Sequence, residues 1–127
     1  MRAQQAHAAA ALAPGRVVIK IPATTENLGL TARLVQNGLR CAVTAVSTPA
    51  QAYLAAQAGA EFAIPYVNRL TRLLGDGLAV VSGCADVLRG TPTRLLAASL
   101  KSADEVVAAL HAEAQALTIP LDLIQAM

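Results

Sequence analysis

Apolar residues along this chain follow two spacings, dense β-branched runs and longer stretches where they recur at helical intervals. The dense runs are Arg16–Ile21, Leu39–Val46, Glu61–Tyr66, Thr93–Ala98 and Ala116–Pro120, and each has the length of a strand. The stretches between them carry start and stop signals. Thr24 can cap a helix running to about Asn37, with Leu30, Leu34 and Val35 on its inner face and Gly38 at its end. Thr48-Pro49-Ala50-Gln51 combines a capping box with proline at the first helical position, and Gly59 stops that helix. Ser102-Ala103-Asp104-Glu105 is a second capping box, leading into Val106, Val107 and Leu110. A further helix spans about Gly77 to Leu88 with a less distinct cap, and an alanine-rich helix fills residues 1–15. The predicted order is helix, then five strands alternating with helices, then a short tail. That alternation means βα units and a parallel sheet.

One polar residue interrupts the first dense run, Val17-Val18-Ile19-Lys20-Ile21-Pro22. Such a run favours a buried strand, and Pro22 closes it because proline cannot donate to a following ladder. The pattern therefore predicts that Lys20 points its amine into a core. An ammonium buried without a partner tends to release its proton, which leaves a nucleophilic amine of the kind a Schiff-base lysine needs. The simpler alternative is a lysine at a strand end whose amine reaches water.

Five strands in one domain suit either a doubly wound sheet or an arc of a (β/α)₈ barrel. The polar positions favour the barrel. Lys20 and Thr44 lie within strands, Tyr66 and Arg69 come at and after the end of the third, and Ser99 and Lys101 follow the fourth. In a barrel such positions converge on the C-terminal mouth, where catalytic groups come from several strand ends. No GxGxxG or phosphate-loop pattern supports the doubly wound sheet.

Composition narrows the chemistry further. With 127 residues, 55% hydrophobic and 14% charged, the chain is read as one globular domain over 1–127. A net charge of +2 without a Lys/Arg run, and only three aromatic residues, argue against nucleic acid as a partner. Cys41 and Cys84 are too few for a disulfide framework and fall in no metal-ligand spacing, as suits a reducing cytoplasm. His7 and His111 lie far apart in alanine-rich segments, and no metal site is expected. No apolar stretch approaches the ~20 residues of a membrane span. The start, with Ala8 to Ala13 after Arg2, resembles a signal peptide only superficially, because Gln4, Gln5 and His7 break the apolar region.

Taken together, a series of segments resembles the transaldolase family, in particular its small fructose-6-phosphate aldolase-like branch. The segments are Val18-Ile19-Lys20-Ile21-Pro22, Val43-Thr44-Ala45-Val46, Ala50-Gln51, Ala58-Gly59-Ala60-Glu61, Ile64-Pro65-Tyr66-Val67-Asn68-Arg69, Leu96-Ala97-Ala98-Ser99 and Ile119-Pro120-Leu121. The resemblance implies class I aldolase chemistry on ketose sugar phosphates, on a (β/α)₈ scaffold, with no metal or organic cofactor. Lys20 falls on the family's Schiff-base lysine, and Thr44 on the threonine that helps hold a catalytic water. Tyr66 matches a tyrosine of the aldolase-like branch, where transaldolases proper carry phenylalanine. Its phenol suits general acid/base work and favours aldol cleavage or addition over dihydroxyacetone transfer. Arg69 and Ser99 match residues that bind the sugar phosphate, and Lys101 is a further cation nearby.

Compared with family members, the chain is expected to begin in the helix before the fourth barrel strand and to stop just after the eighth. In the family, the three earlier strands carry an aspartate, an asparagine and a Gln/Glu, and the aspartate and the Gln/Glu complete the proton relay around the catalytic water. A partial barrel of five strands would have open edges. The expected partners are therefore a sugar phosphate and either a second copy or a chain supplying the other strands. A non-catalytic half-barrel that binds phosphate or completes another barrel stands as the alternative.

Overall fold

A computed structural model describes residues 2–127. The elements are α1 (Ala3–Ala11), β1 (Val18–Pro22), α2 (Thr25–Gln36), β2 (Arg40–Val46), α3 (Pro49–Gln57), β3 (Phe62–Pro65), α4 (Val67–Leu74), α5 (Gly77–Leu88), β4 (Arg94–Ala97), α6 (Ala103–His111), β5 (Ala116–Leu117) and α7 (Leu121–Ala126). All five strands are parallel and lie in chain order, β1-β2-β3-β4-β5. A doubly wound sheet would reverse direction at a switch point. Sequential order is that of a barrel arc, and the chain is a partial (β/α)₈ barrel.

Three helices begin at the expected caps. The hydroxyls of Thr24, Thr48 and Ser102 accept from the N–H groups of Asn27 (3.1 Å), Gln51 (3.2 Å) and Glu105 (3.1 Å). Asp76 does the same for α5 through Ala79 N–H at 3.1 Å. Five readings from the sequence need correction, the first being the helix expected over residues 1–15, which ends at Ala11 and gives way to turns. Pro22 is the last residue of β1 rather than a stop beyond it, and β5 is only two residues long. The tail contains α7, and an additional helix, α4, stands between β3 and α5. Gly77 lets α4 and α5 cross closely. A Cβ there would meet the Val67 carbonyl and lie 2.7 Å from Thr71 Oγ1, which already accepts from Gly77 N–H at 3.0 Å.

The two faces of the sheet have different neighbours. On one, Val43, Val46, Ala63, Leu95 and Ala97 join residues of α3, α5 and α6 in a single apolar core. Ile19, Ile21 and Cys41 extend that side under α1 and α2, packing with Ala6, Leu30 and Leu34. The opposite face holds a small cluster made of sheet positions and Tyr66, centred on Ala42, Ile64 and Ala98 and flanked by Val18, Phe62 and Leu96. Thus the helices cover one face, and the other is open among the described residues. Burial lifts the Cys41 thiol above its ordinary range and pushes Cys84 up to about 11, which keeps both as inert packing groups.

Candidate active site

Alternate residues of a strand share a face, and parallel register carries that face from strand to strand. Pairing sets Lys20 beside Ala42, Pro22 beside Thr44, and Thr44 beside Ile64. Lys20, Thr44 and Ile64 therefore lie on the open face, and Tyr66, which bridges Ala98 just past β3, packs with the same cluster. Lys20 is exposed there, whereas its neighbours Ile19 and Ile21 are buried under the helices. This corrects the expectation of a lysine inside a core. The β-branched run is buried on one face only, so the desolvation of the amine depends on whatever covers the other.

Thr44 Oγ1 and Tyr66 Oη are 2.6 Å apart, and either hydroxyl can donate. Thr44 is 5% exposed, so this is a short, sheltered hydroxyl pair and the natural place to pass a proton. The register of β2 shifts directly after Thr44, at Ala45, whose φ of 56° is left-handed. A bulge of this kind re-aims the strand end, and a left-handed alanine is a strained conformation found disproportionately at functional sites.

Arg69 lies in the first turn of α4, with its guanidinium 4.7 Å from the centre of the Tyr66 ring. The contact is within cation–π reach and holds the exposed cation beside the hydroxyl pair. Ala45, Ser47, Tyr66, Arg69, Leu70 and Leu73 line a pocket of about 120 Å³. Ser99, with a φ of 58°, follows β4, and its carbonyl accepts from Asn68 N–H at 3.0 Å, so it abuts the start of α4. Lys101 is exposed just before α6.

Two further polar residues, Asn68 and Glu105, tie α4 to the start of α6. Asn68 Nδ2 donates to Glu105 Oε2 at 3.2 Å and Asn68 Oδ1 accepts from Arg72 Nε at 3.0 Å, while Glu105 Oε1 accepts from Lys101 N–H at 2.9 Å. The Ser102-to-Glu105 spacing was the available signal, since it places a carboxylate in the first turn of α6.

A larger cavity of about 320 Å³ lies at the opposite end of β4, beside Arg89, Thr91, Leu95 and Glu113. Its one cation, Arg89, is already met by Asp86 at 3.2 Å and Glu113 at 2.8 Å. Among the described residues, no three His, Cys, Asp or Glu side chains form a group able to hold a metal ion. No described helix is long and apolar enough to cross a membrane.

With a sequential parallel sheet and polar groups gathered at its C-terminal rim, comparison with known proteins decides the family. A family model described as Transaldolase/Fructose-6-phosphate aldolase matches residues 2–127. The chain belongs to this family. A curated protein named "Probable transaldolase", from Symbiobacterium thermophilum (strain DSM 24528 / JCM 14929 / IAM 14863 / T), is 42% identical over 106 residues, which are 82% of this chain and 49% of that protein. The chain thus spans about half the length of this transaldolase-family relative.

Proposed function

We propose that this chain carries the Schiff-base half of a class I aldolase site acting on ketose sugar phosphates such as fructose 6-phosphate. The observation that supports this most is the Thr44–Tyr66 hydroxyl pair, 2.6 Å apart, on the sheet face that also bears Lys20. In this reading the neutral amine of Lys20 adds to the ketose carbonyl and water leaves, forming an iminium. A base takes the proton of the hydroxyl beyond the bond to be broken. The electrons of that carbon–carbon bond flow into the iminium, an aldehyde departs, and an enamine stays on Lys20. Protonation of the enamine carbon followed by hydrolysis releases dihydroxyacetone and restores the amine. Tyr66 and Thr44 move the protons. Arg69, aided by the Ser99 hydroxyl, binds the phosphate, because a guanidinium forks its oxygens.

The open face supports a second proposal. Val18, Phe62 and Leu96 are only half-buried on it, and β1 and β5 each pair on one side alone among the described residues. Unpaired edges and an uncovered apolar face favour association. We propose that further barrel strands, from a partner segment or a second copy, cover this face, desolvate Lys20 and complete the proton relay. The test is cleavage of fructose 6-phosphate by the chain alone and co-expressed with a strand-supplying segment, with solution mass followed by light scattering. Activity should be near background alone, rise on association, and vanish in Lys20→Ala. Equal activity of Lys20→Ala in the associated state would overturn the Schiff-base reading. A 13 kDa monomer with full turnover would overturn the need for covering strands.

A further inference from the structure

The hydrogen bonds around Asn68 reach across two elements that the phosphate reading uses separately. Arg69 is on α4, and Ser99 is in the loop between β4 and α6. Asn68 stands next to Arg69, and its N–H and both polar atoms of its side chain are engaged. Its N–H donates to the Ser99 carbonyl at 3.0 Å, Nδ2 donates to Glu105 Oε2 at 3.2 Å, and Oδ1 accepts from Arg72 Nε at 3.0 Å. The orientation of the amide follows from its partners. An arginine can only donate and an ionised carboxylate can only accept, so turning the amide over would set like against like on both sides.

Glu105 closes the loop from the other side. A capping-box glutamate ordinarily reaches back to the N–H of its own cap residue. Glu105 instead accepts from Lys101 N–H, one residue earlier, at 2.9 Å, and turns its second oxygen to Asn68, 37 residues away in the chain. Capping of α6 requires no contact with Asn68. What the contact achieves is to fasten the Ser99–Ser102 loop to the first turn of α4. That loop contains a serine at φ 58°, a conformation that persists only where the surroundings impose it.

We propose that Asn68 and Glu105 are positioning residues that hold Ser99 against Arg69 and so build the phosphate-binding end of the site; this rests on the assignment of Arg69 and Ser99 to phosphate. Neither residue touches the ligand. They act by fixing the distance between a cation on one element and a hydroxyl on another, which is what recognition of a phosphate requires.

The test is a charge exchange read by ligand preference. Asn68→Asp sets two carboxylates against each other and severs the contact. Adding Glu105→Gln restores it with donor and acceptor exchanged, and leaves acceptors for both Arg72 Nε and Lys101 N–H. The affinity ratio of fructose 6-phosphate to dihydroxyacetone is measured by titration for each variant and for Arg69→Ala. The ratio should fall about tenfold in Asn68→Asp and return to within about twofold in the double variant, the scale of one charge-assisted contact. An unchanged ratio in Asn68→Asp beside a collapsed ratio in Arg69→Ala would overturn the positioning role and leave the phosphate assignment standing. An unchanged ratio in Arg69→Ala would overturn the phosphate assignment and this proposal with it. A fall in Asn68→Asp that the double variant fails to reverse would also overturn it. Should Asn68→Asp not fold, Glu105→Ala alone serves, because it removes both oxygens that accept from Asn68 Nδ2; an unchanged ratio there would again count against the proposal.

Discussion

Leu95 and Leu96 are consecutive residues of β4 with the same side chain, yet they belong to different parts of the molecule. Leu95 is 1% exposed under α5, while Leu96 is half-buried on the open face with Ile64 and Ala98. The same division separates Ile21 from Lys20 in β1 and Val43 from Thr44 in β2. One face of the sheet is occupied by folding, and every side chain there is apolar and packed. The other face is uncovered among the described residues, and the hydroxyl pair and the lysine stand among its few apolar residues. Polar groups are tolerated within these strands because period-two alternation directs them away from the helices.

The largest expected effect compares these two leucines directly. Leu95→Ala should cost about 2–5 kcal/mol, the range for a fully buried leucine, against about 1 kcal/mol or less for Leu96→Ala. Denaturant unfolding of both variants checks this. Equal losses would show that the open face is covered in solution, as barrel completion or self-association would make it.

Next in size is the effect of Arg69→Ala. It should weaken fructose 6-phosphate far more than dihydroxyacetone, by about 1.5–3 kcal/mol or roughly one to two decades, because only the phosphate presents an anion to the guanidinium. Calorimetric titration of both ligands measures the difference. Equal losses would move Arg69 to the folding side of the comparison.

The smallest effect lies at the far end of the sheet. Glu61 accepts from Arg40 at 2.7 and 2.8 Å, and that hydrogen bond, with the attraction of Arg40 and Arg94, holds its carboxyl below the usual glutamate range against a desolvation cost. A depressed carboxylate contributes stability above the ordinary glutamate value and loses it as pH falls through the lowered one. Wild type and Glu61→Gln should therefore differ slightly at neutral pH and converge as the pH falls below the ordinary glutamate range and through the lowered value. The pair is partly exposed and screened, so the gap should be small and shrink further in salt. Parallel acid-unfolding curves would contradict this.

What was legible in the sequence divides along the same line as what is local. Thr24, Thr48 and Ser102 announce their helices because a cap bonds three residues onward, within its own segment. The α4 helix has no such marker. Its cap position is Tyr66, which makes no side-chain cap bond, and the N–H groups of Val67 and Asn68 are satisfied by the carbonyls of Ala98 and Ser99 from the end of β4. A helix started by a distant strand leaves no local signature. The spacing of Val67, Leu70 and Leu74 before Gly75 was the remaining clue. In the same way Lys20 is visible as a polar residue out of pattern, but its exposure depends on what lies over the sheet, which no run of residues records. The strand pattern places Thr44 and Tyr66 toward one barrel mouth, but the contact between their hydroxyls follows from strand register and the bulge at Ala45, which no local pattern records.

The central claim, that the open face carries Schiff-base chemistry at Lys20, is tested most directly by trapping. The folded chain is incubated with dihydroxyacetone or fructose 6-phosphate, reduced with borohydride, and its adducts are mapped by mass spectrometry. The account predicts one reduced adduct, on Lys20 and not on Lys101, because only Lys20 shares a sheet face with the Thr44–Tyr66 pair. Adducts spread over Lys101 and the amino terminus, or none on Lys20 in a chain shown to be folded, would contradict it.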